Sequence, residues 1–194
     1  MRTVLVYLLR HGQTVYNQQR RYQGQLDIPL SDEGRKALKP ADFTPDMIYV
    51  SPLKRAVETA EILFPGSKQC AISDFQEMDF GVFEGRSFRE MADDPDYRAW
   101  VDSGCLEACP GGERRQEFSD RVTRAFAQLM ESRQSHLVVV AHGGTQMAIL
   151  EKYGRPRRDF YQWQSGNGQG FLLKAHDWSH KQELELLQEI SYIG

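Results

Sequence analysis

Arg10-His11-Gly12 closes a continuous apolar run, Thr3 to Leu9, and His142-Gly143-Gly144-Thr145 closes a second, His136 to Ala141. In both places a histidine follows an apolar stretch and precedes glycine, which lets backbone approach a ligand closely. An arginine beside the first histidine suits an anion, because its planar fork donates paired hydrogen bonds. The glycines after His142 leave backbone N–H groups free where a helical pattern, Gln146 to Leu150, opens, and a helix N-terminus favours phosphate. Either histidine alone reads as the cap of a strand. Two in matching contexts read as one anion-handling site, provided their strands are neighbours.

The elements that must position them are strands of a buried sheet. The two runs are short, rich in β-branched residues and too uniformly apolar for half-exposed strands, as expected of central parallel strands. Such strands deliver their C-terminal residues to the sheet edge where α/β proteins place ligands. Further strand-like runs fall near 47–50, near 70–73, at 170–175 and near 183–190. A helix is expected from Pro52 to Phe64, with Ser51 as N-cap and Pro52 at its first position. Its apolar stripe is Leu53, Val57, Ala60, Leu63 and Phe64, so Lys54, Arg55, Glu58 and Glu61 fall mostly off the core face. Another helix spans about Glu113 to Ser132, burying Phe118, Val122, Ala125, Phe126 and Leu129. Alternating strands and helices predict a three-layer α/β/α fold with a mostly parallel central sheet. The polar and aromatic stretch from about 81 to 112 has helical character and no strand, and reads as a small helical cap inserted over one face.

At 194 residues the chain fits a single domain, 1–194, that buries about 70% of its unfolded surface. A formal net charge of −3 argues against a nucleic-acid partner. The short basic clusters Arg114-Arg115 and Arg155 to Arg158 read as solvated turns or helix ends. Cys70, Cys105 and Cys109 are expected as reduced thiols in a cytoplasmic protein. Neither a secretion leader nor a membrane span is expected, hence no membrane partner. Monomer and homodimer are not distinguished.

Beyond the two strand ends, an ordered series of motifs resembles the histidine phosphatase superfamily, also called phosphoglycerate mutase-like. The series comprises Leu8 to Thr14; Asn17; Gln23-Gly24 with Asp27 to Ser31 and Gly34; Ser51 to Ala56 with Thr59-Ala60; Glu77 to Gly85; Pro110-Gly111-Gly112-Glu113; and Ala141-His142-Gly143. The resemblance implies that His11 is a nucleophile forming a phosphohistidine that water hydrolyses. Arg10 and Arg55 would depress its pKa and bind the phosphoryl oxygens. His142 and Gly143 would hold another oxygen, and Asn17, Gln23 and Gly24 would line the phosphate or leaving-group side. Glu77 would be the general acid, with Asp79 or Glu84 as alternatives. That role needs a protonated carboxyl, so burial and substrate charge must outweigh the arginines. Two arginines around two histidines also repel a cation, so no metal and no cofactor is expected.

Within the family the resemblance favours a phosphatase of small phosphomonoesters. Where mutases carry a tyrosine and a lysine for a substrate carboxylate, the matching positions are Phe80 and Phe88, and the mutases' additional arginine pair has no counterpart. Length and the Pro110–Glu113 motif are similar to α-ribazole phosphatases and broad-specificity bacterial relatives, although Arg114 replaces their usual serine. Tyr97 and Trp100 could stack on a substrate ring or pack the cap against the core. A mutase and a catalytically silent phospho-ligand-binding module are the competing readings.

Overall fold

The computed structural model describes residues 2–132 and 134–194. Its strands are β1 (Thr3–Arg10), β2 (Met47–Val50), β3 (Lys68–Ala71), β4 (His136–Ala141), β5 (Gly154–Arg155), β6 (Gln169–His176) and β7 (Leu184–Ser191). The helices are α1 (Val15–Gln18), α2 (Asp32–Ala37), α3 (Lys54–Leu63), α4 (Pro95–Asp102), α5 (Arg115–Met130), α6 (Gly143–Tyr153) and α7 (Trp178–Lys181). The strands form one seven-stranded sheet in the order β3-β2-β4-β1-β6-β7-β5. Pairing is parallel from β3 through β1 and antiparallel from β1 through β6 to β7, and the two-residue β5 lies parallel to β7.

The apolar runs behave as their composition requires. Alternation along β1 sends Val4, Val6 and Leu8 into a core with Phe118, Val122 and Phe126 of α5 and Ile149 and Leu150 of α6. The opposite face sends Leu9 to Ile48, Val50, Val138 and Val140, covered by Ala56, Ala60 and Leu63 of α3. Both faces of the central strands are therefore closed, giving helix, sheet and helix layers. β1 and β4 are parallel neighbours in a register that sets Arg10 against Ala141. His11 extends the ladder, its N–H donating to the Ala141 carbonyl at 2.9 Å. The two histidines thus leave adjacent strand ends.

Several local expectations are corrected. Helix α3 begins at Lys54 rather than Pro52, and Ser51 does not cap it. Its exposed first N–H, on Lys54, donates instead to Asp27 Oδ1 at 2.7 Å, from a distant loop. Arg55 is fully buried, because residues 24–26 fold over the first turn of α3 and accept its hydrogen bonds. α5 is shorter than expected at both ends, and Met130 rather than Leu129 completes its buried stripe. β5 went unread because two residues carry no periodicity, and β3 lies two residues earlier than expected.

In the segment 81–112 the structure has a turn of 3₁₀ helix at Gly81–Phe83 and helix α4, opened by Asp94 and Pro95. A single bridge joins Ser87 to Arg21. Phe83, Met91 and Trp100 are buried there, whereas Phe88 is exposed. Among the described residues no helix is long and apolar enough to cross a membrane, and all three cysteines are free thiols.

Candidate active site

The rings of His11 and His142 lie 5.3 Å apart, centroid to centroid, at an interplanar angle of 63°. Both are buried. His11 Nδ1 lies 2.6 Å from the carbonyl oxygen of Gly12. A carbonyl only accepts, so Nδ1 carries the hydrogen and Nε2 keeps its lone pair. His142 Nε2 lies 2.7 Å from Ser51 Oγ, which is where the side chain expected to cap α3 is used.

Two guanidinium groups flank the rings. Arg55 donates to the carbonyls of Leu26 and Gly24, each at 2.7 Å. Arg10 donates to the Ser165 carbonyl at 2.6 Å. Three buried nitrogens of this group have no partner among the described residues: Arg10 Nε, Arg55 Nε and His142 Nδ1. Burial, followed by the charges of Arg55 and Arg10, holds His11 well below the usual imidazole range. Burial, then Arg55, does the same to His142. Burial also draws the Arg55 guanidinium down to about 10 and lowers Arg10, both against the pull of Glu77.

Glu77 stands on the other side of the α6 N-terminus. Its Oε2 accepts the Gly144 N–H at 3.0 Å and its Oε1 the Met78 N–H at 2.9 Å. The alternative acids are engaged in loop structure. Asp79 Oδ1 accepts from Gly81 N at 2.8 Å, and Glu84 Oε1 accepts from Gln25 N at 2.8 Å and Phe80 N at 3.1 Å. Burial raises the Glu84 carboxyl.

The remaining expected site residues fall nearby in different ways. Asn17 is half-buried, and its Oδ1 accepts from Thr14 N and from Asn167 Nδ2, at 3.0 and 3.2 Å. Gln23 is buried, with Oε1 2.7 Å from the Thr14 hydroxyl. Gly24 turns its carbonyl to Arg55 and so holds the arginine. Gly143 opens α6 close to Arg10; a Cβ there would sit 3.4 Å from the guanidinium carbon.

Beyond Glu77 and Gly144 opens a cavity of about 360 Å³ walled by Tyr22, Phe80, Trp100, Phe118, Phe160 and Tyr161. Among the described residues its one cation is Arg115, which stacks on Phe160 at 4.6 Å and lies 3.6 Å from Glu151. Arg115, expected in a solvated helix end, is therefore half-buried in the cavity wall. Trp100 lines the cavity while packing against Tyr22, Phe80, Phe83 and Tyr97; Tyr97 itself packs behind it.

The sequence model of the Histidine phosphatase superfamily (branch 1) matches residues 6–186. The chain belongs to that superfamily. Among solved structures, the α-ribazole phosphatase from Shigella flexneri superposes with a TM-score of 0.82 at 26% identity, covering 98% of each chain. A Hydrogenobacter thermophilus protein provisionally named phosphoserine phosphatase 2 is 32% identical over 154 residues, 75% of this chain and 76% of that protein. A Salmonella typhi protein provisionally named phosphoglycerate mutase GpmB is 36% identical over 148 residues, 71% of this chain and 69% of that protein.

Several residues around this candidate site have contacts that the sequence does not indicate, although Ser51 and Thr59 lie in the matched motifs. Ser51, whose position before Pro52 suggests a cap, meets His142 instead. Ser165 meets Arg10 through its carbonyl, and Asn167 Nδ2 lies 3.2 Å from the His11 carbonyl and 3.3 Å from that of Gly12. Thr59 Oγ1 accepts the Gly12 N–H at 2.9 Å. Arg121 binds the backbone of the Glu77 loop. All are contacts across distant chain segments, for which periodicity and spacing offer no signal.

Proposed function

We propose that the protein is a metal-independent phosphomonoesterase that works through a phosphohistidine on His11. The observation that carries this reading is the set of three buried, unpartnered nitrogens around an imidazole whose Nε2 lone pair is free. A buried donor without a partner costs about 1–3 kcal/mol. A tetrahedral phosphoryl group accepting from Arg10 Nε, Arg55 Nε and His142 Nδ1 relieves all three. For His142 this requires the tautomer in which the Ser51 hydroxyl donates to Nε2 and Nδ1 bears the hydrogen.

In the first step the Nε2 lone pair of His11 forms a bond to phosphorus. The phosphorus–oxygen bond to the alcohol breaks, and its electron pair stays on that oxygen, which takes a proton from the Glu77 carboxyl. In the second step a water oxygen attacks the phosphorus as Glu77 takes up its proton. The phosphorus–nitrogen bond breaks and its electrons return to Nε2. The two guanidinium groups balance charge on the phosphoryl oxygens throughout. Their proximity also disfavours a divalent cation at this position.

The aromatic cavity favours hydrolysis over the mutase reaction. A mutase must retain an anionic sugar acid between steps, and this cavity offers one guanidinium already paired with Glu151. It suits the uncharged, ring-bearing part of a small phosphomonoester. α-Ribazole 5′-phosphate, from the likeness to the Shigella protein, is the first substrate to compare with 3-phosphoglycerate.

The test is phosphate release from phenyl phosphate in the presence of a chelator. The native chain is expected to turn over, and His11→Ala to lose on the order of 10⁴-fold or more. Brief incubation with ³²P-labelled ester should leave acid-labile, alkali-stable label on the protein. Undiminished turnover by His11→Ala, or label with the opposite stability, overturns the reading.

A further inference from the structure

We propose that Arg121, held by Glu113, is a positioning residue that aims the Glu77 carboxyl at the departing oxygen. This rests on the reading of Glu77 as general acid and adds the device that fixes it in place.

Glu77 sits on a stretch without α-helix or strand, between Phe75 and Gly81. Such a stretch does not by itself hold a carboxyl within the tolerance that proton transfer demands. Arg121, from the middle of α5, supplies the constraint. A guanidinium has five N–H donors, and all five of Arg121 are engaged. Two form a fork on Glu113, Nε to Oε1 at 2.6 Å and a terminal nitrogen to Oε2 at 2.8 Å. The other three reach the carbonyls of Asp74 at 2.8 Å, Gln76 at 2.9 Å and Glu77 itself at 3.0 Å.

Glu113 grips the same stretch from its far side. Its Oε2 accepts the Asp79 N–H at 2.9 Å, and its own N–H donates to the Asp79 carbonyl at 2.8 Å. The backbone before and after Glu77 is thus tied to one ion pair. The glycines of Pro110-Gly111-Gly112-Glu113 make the approach possible: a Cβ on Gly112 would lie 2.3 Å from the Asp79 carbonyl oxygen.

The same donor count separates this role from two others. Arg121 has no N–H left for a phosphoryl oxygen, so it is not a substrate ligand. Its charge is largely met by a two-point contact with Glu113 and is the weakest of the charges that act on His142, so geometry more than field is what it contributes. Lysine, a point charge with three donors, cannot replace the fork and the three carbonyl contacts.

The experiment compares two esters on the full chain. The oxygen leaving p-nitrophenyl phosphate needs little protonation, whereas that leaving benzyl phosphate needs a proton. Arg121→Lys is expected to lower kcat on benzyl phosphate roughly tenfold to hundredfold. On p-nitrophenyl phosphate the loss is expected to stay below about threefold, with KM nearly constant on both. Glu77→Gln should show the same split more strongly, and adding Arg121→Lys to it should change kcat by less than about twofold. Glu113→Gln tests the clamp from its other side should Arg121→Lys fold poorly.

Equal losses on both esters, full activity of Arg121→Lys, or additive losses in the double variant overturn the proposal. If the native chain hydrolyses both esters but Glu77→Gln shows no split, the assignment of the acid fails instead. If it hydrolyses neither, the phosphatase reading fails.

Discussion

The two ends of the candidate site are built on opposite principles. The end proposed to hold the phosphoryl group is buried and cationic, with Arg10, His11 and His142 at adjacent strand ends, Arg55 on the first turn of α3, and three nitrogens without partners among the described residues. The end proposed to receive the leaving group is aromatic and more open, with Tyr161 54% exposed and, among the described residues, one guanidinium, already paired. In the proposed reading the first receives the group every phosphomonoester shares and the second the part in which they differ. Loss of a function at one end should therefore look different, ester by ester, from loss at the other.

The largest effect lies at the phosphoryl end. Arg55→Lys retains the charge but removes the planar fork that reaches Gly24 and Leu26. We expect kcat/KM to fall on the order of 10²-fold, equally for p-nitrophenyl and benzyl phosphate. A loss confined to one ester would erase the division of labour. Tyr161→Ala should act the other way, lowering kcat/KM on benzyl phosphate about three- to tenfold while leaving methyl phosphate unchanged. Equal effects on the two would show that the aromatic wall does not receive the alcohol.

The smallest effect is on stability. His11 and His142 are held below the usual imidazole range by burial and the arginines. The unfolded chain takes up protons near pH 6.5 while the folded chain resists them. Each ring therefore contributes stability that is whole above that pH and is lost below it, down to the folded pKa. The slope is about 1.4 kcal/mol per pH unit for each ring. Urea melts at pH 7.5, 6.5 and 5.5 should show a shallower decline for His142→Gln than for the native chain. Parallel declines would place the acid sensitivity elsewhere.

How much of this was legible in the sequence follows the range of the interactions. The strand ends bearing His11 and His142 were readable because a buried parallel strand declares itself in one continuous run. Arg55 was matched to a phosphate-binding motif, yet its helical position also marked it as off the core face. Amphipathic spacing describes one helix against one core and is blind to a loop, here residues 24–26, that folds over the polar side. Ser51 followed by Pro52 satisfied a local capping preference, but the hydroxyl meets His142 and Asp27 serves Lys54. Arg121 carried no signal because its acceptors are mostly main-chain carbonyls, which every sequence possesses. The order of the sheet beyond β1 was equally hidden, since antiparallel addition of β6 is settled by packing.

The bond from Arg10 to the carbonyl of Ser165 spans 155 positions of the chain. Since the acceptor belongs to the main chain, exchanging the side chain at that position does not delete it. The aim of this guanidinium is instead written into the path of the backbone entering β6, with Gln146 tied both to the Ser165 hydroxyl and to the Leu8 carbonyl on β1. The orientation of Arg10 is thus inherited from loop length, a trait shielded from most point mutations and vulnerable to a single insertion or deletion.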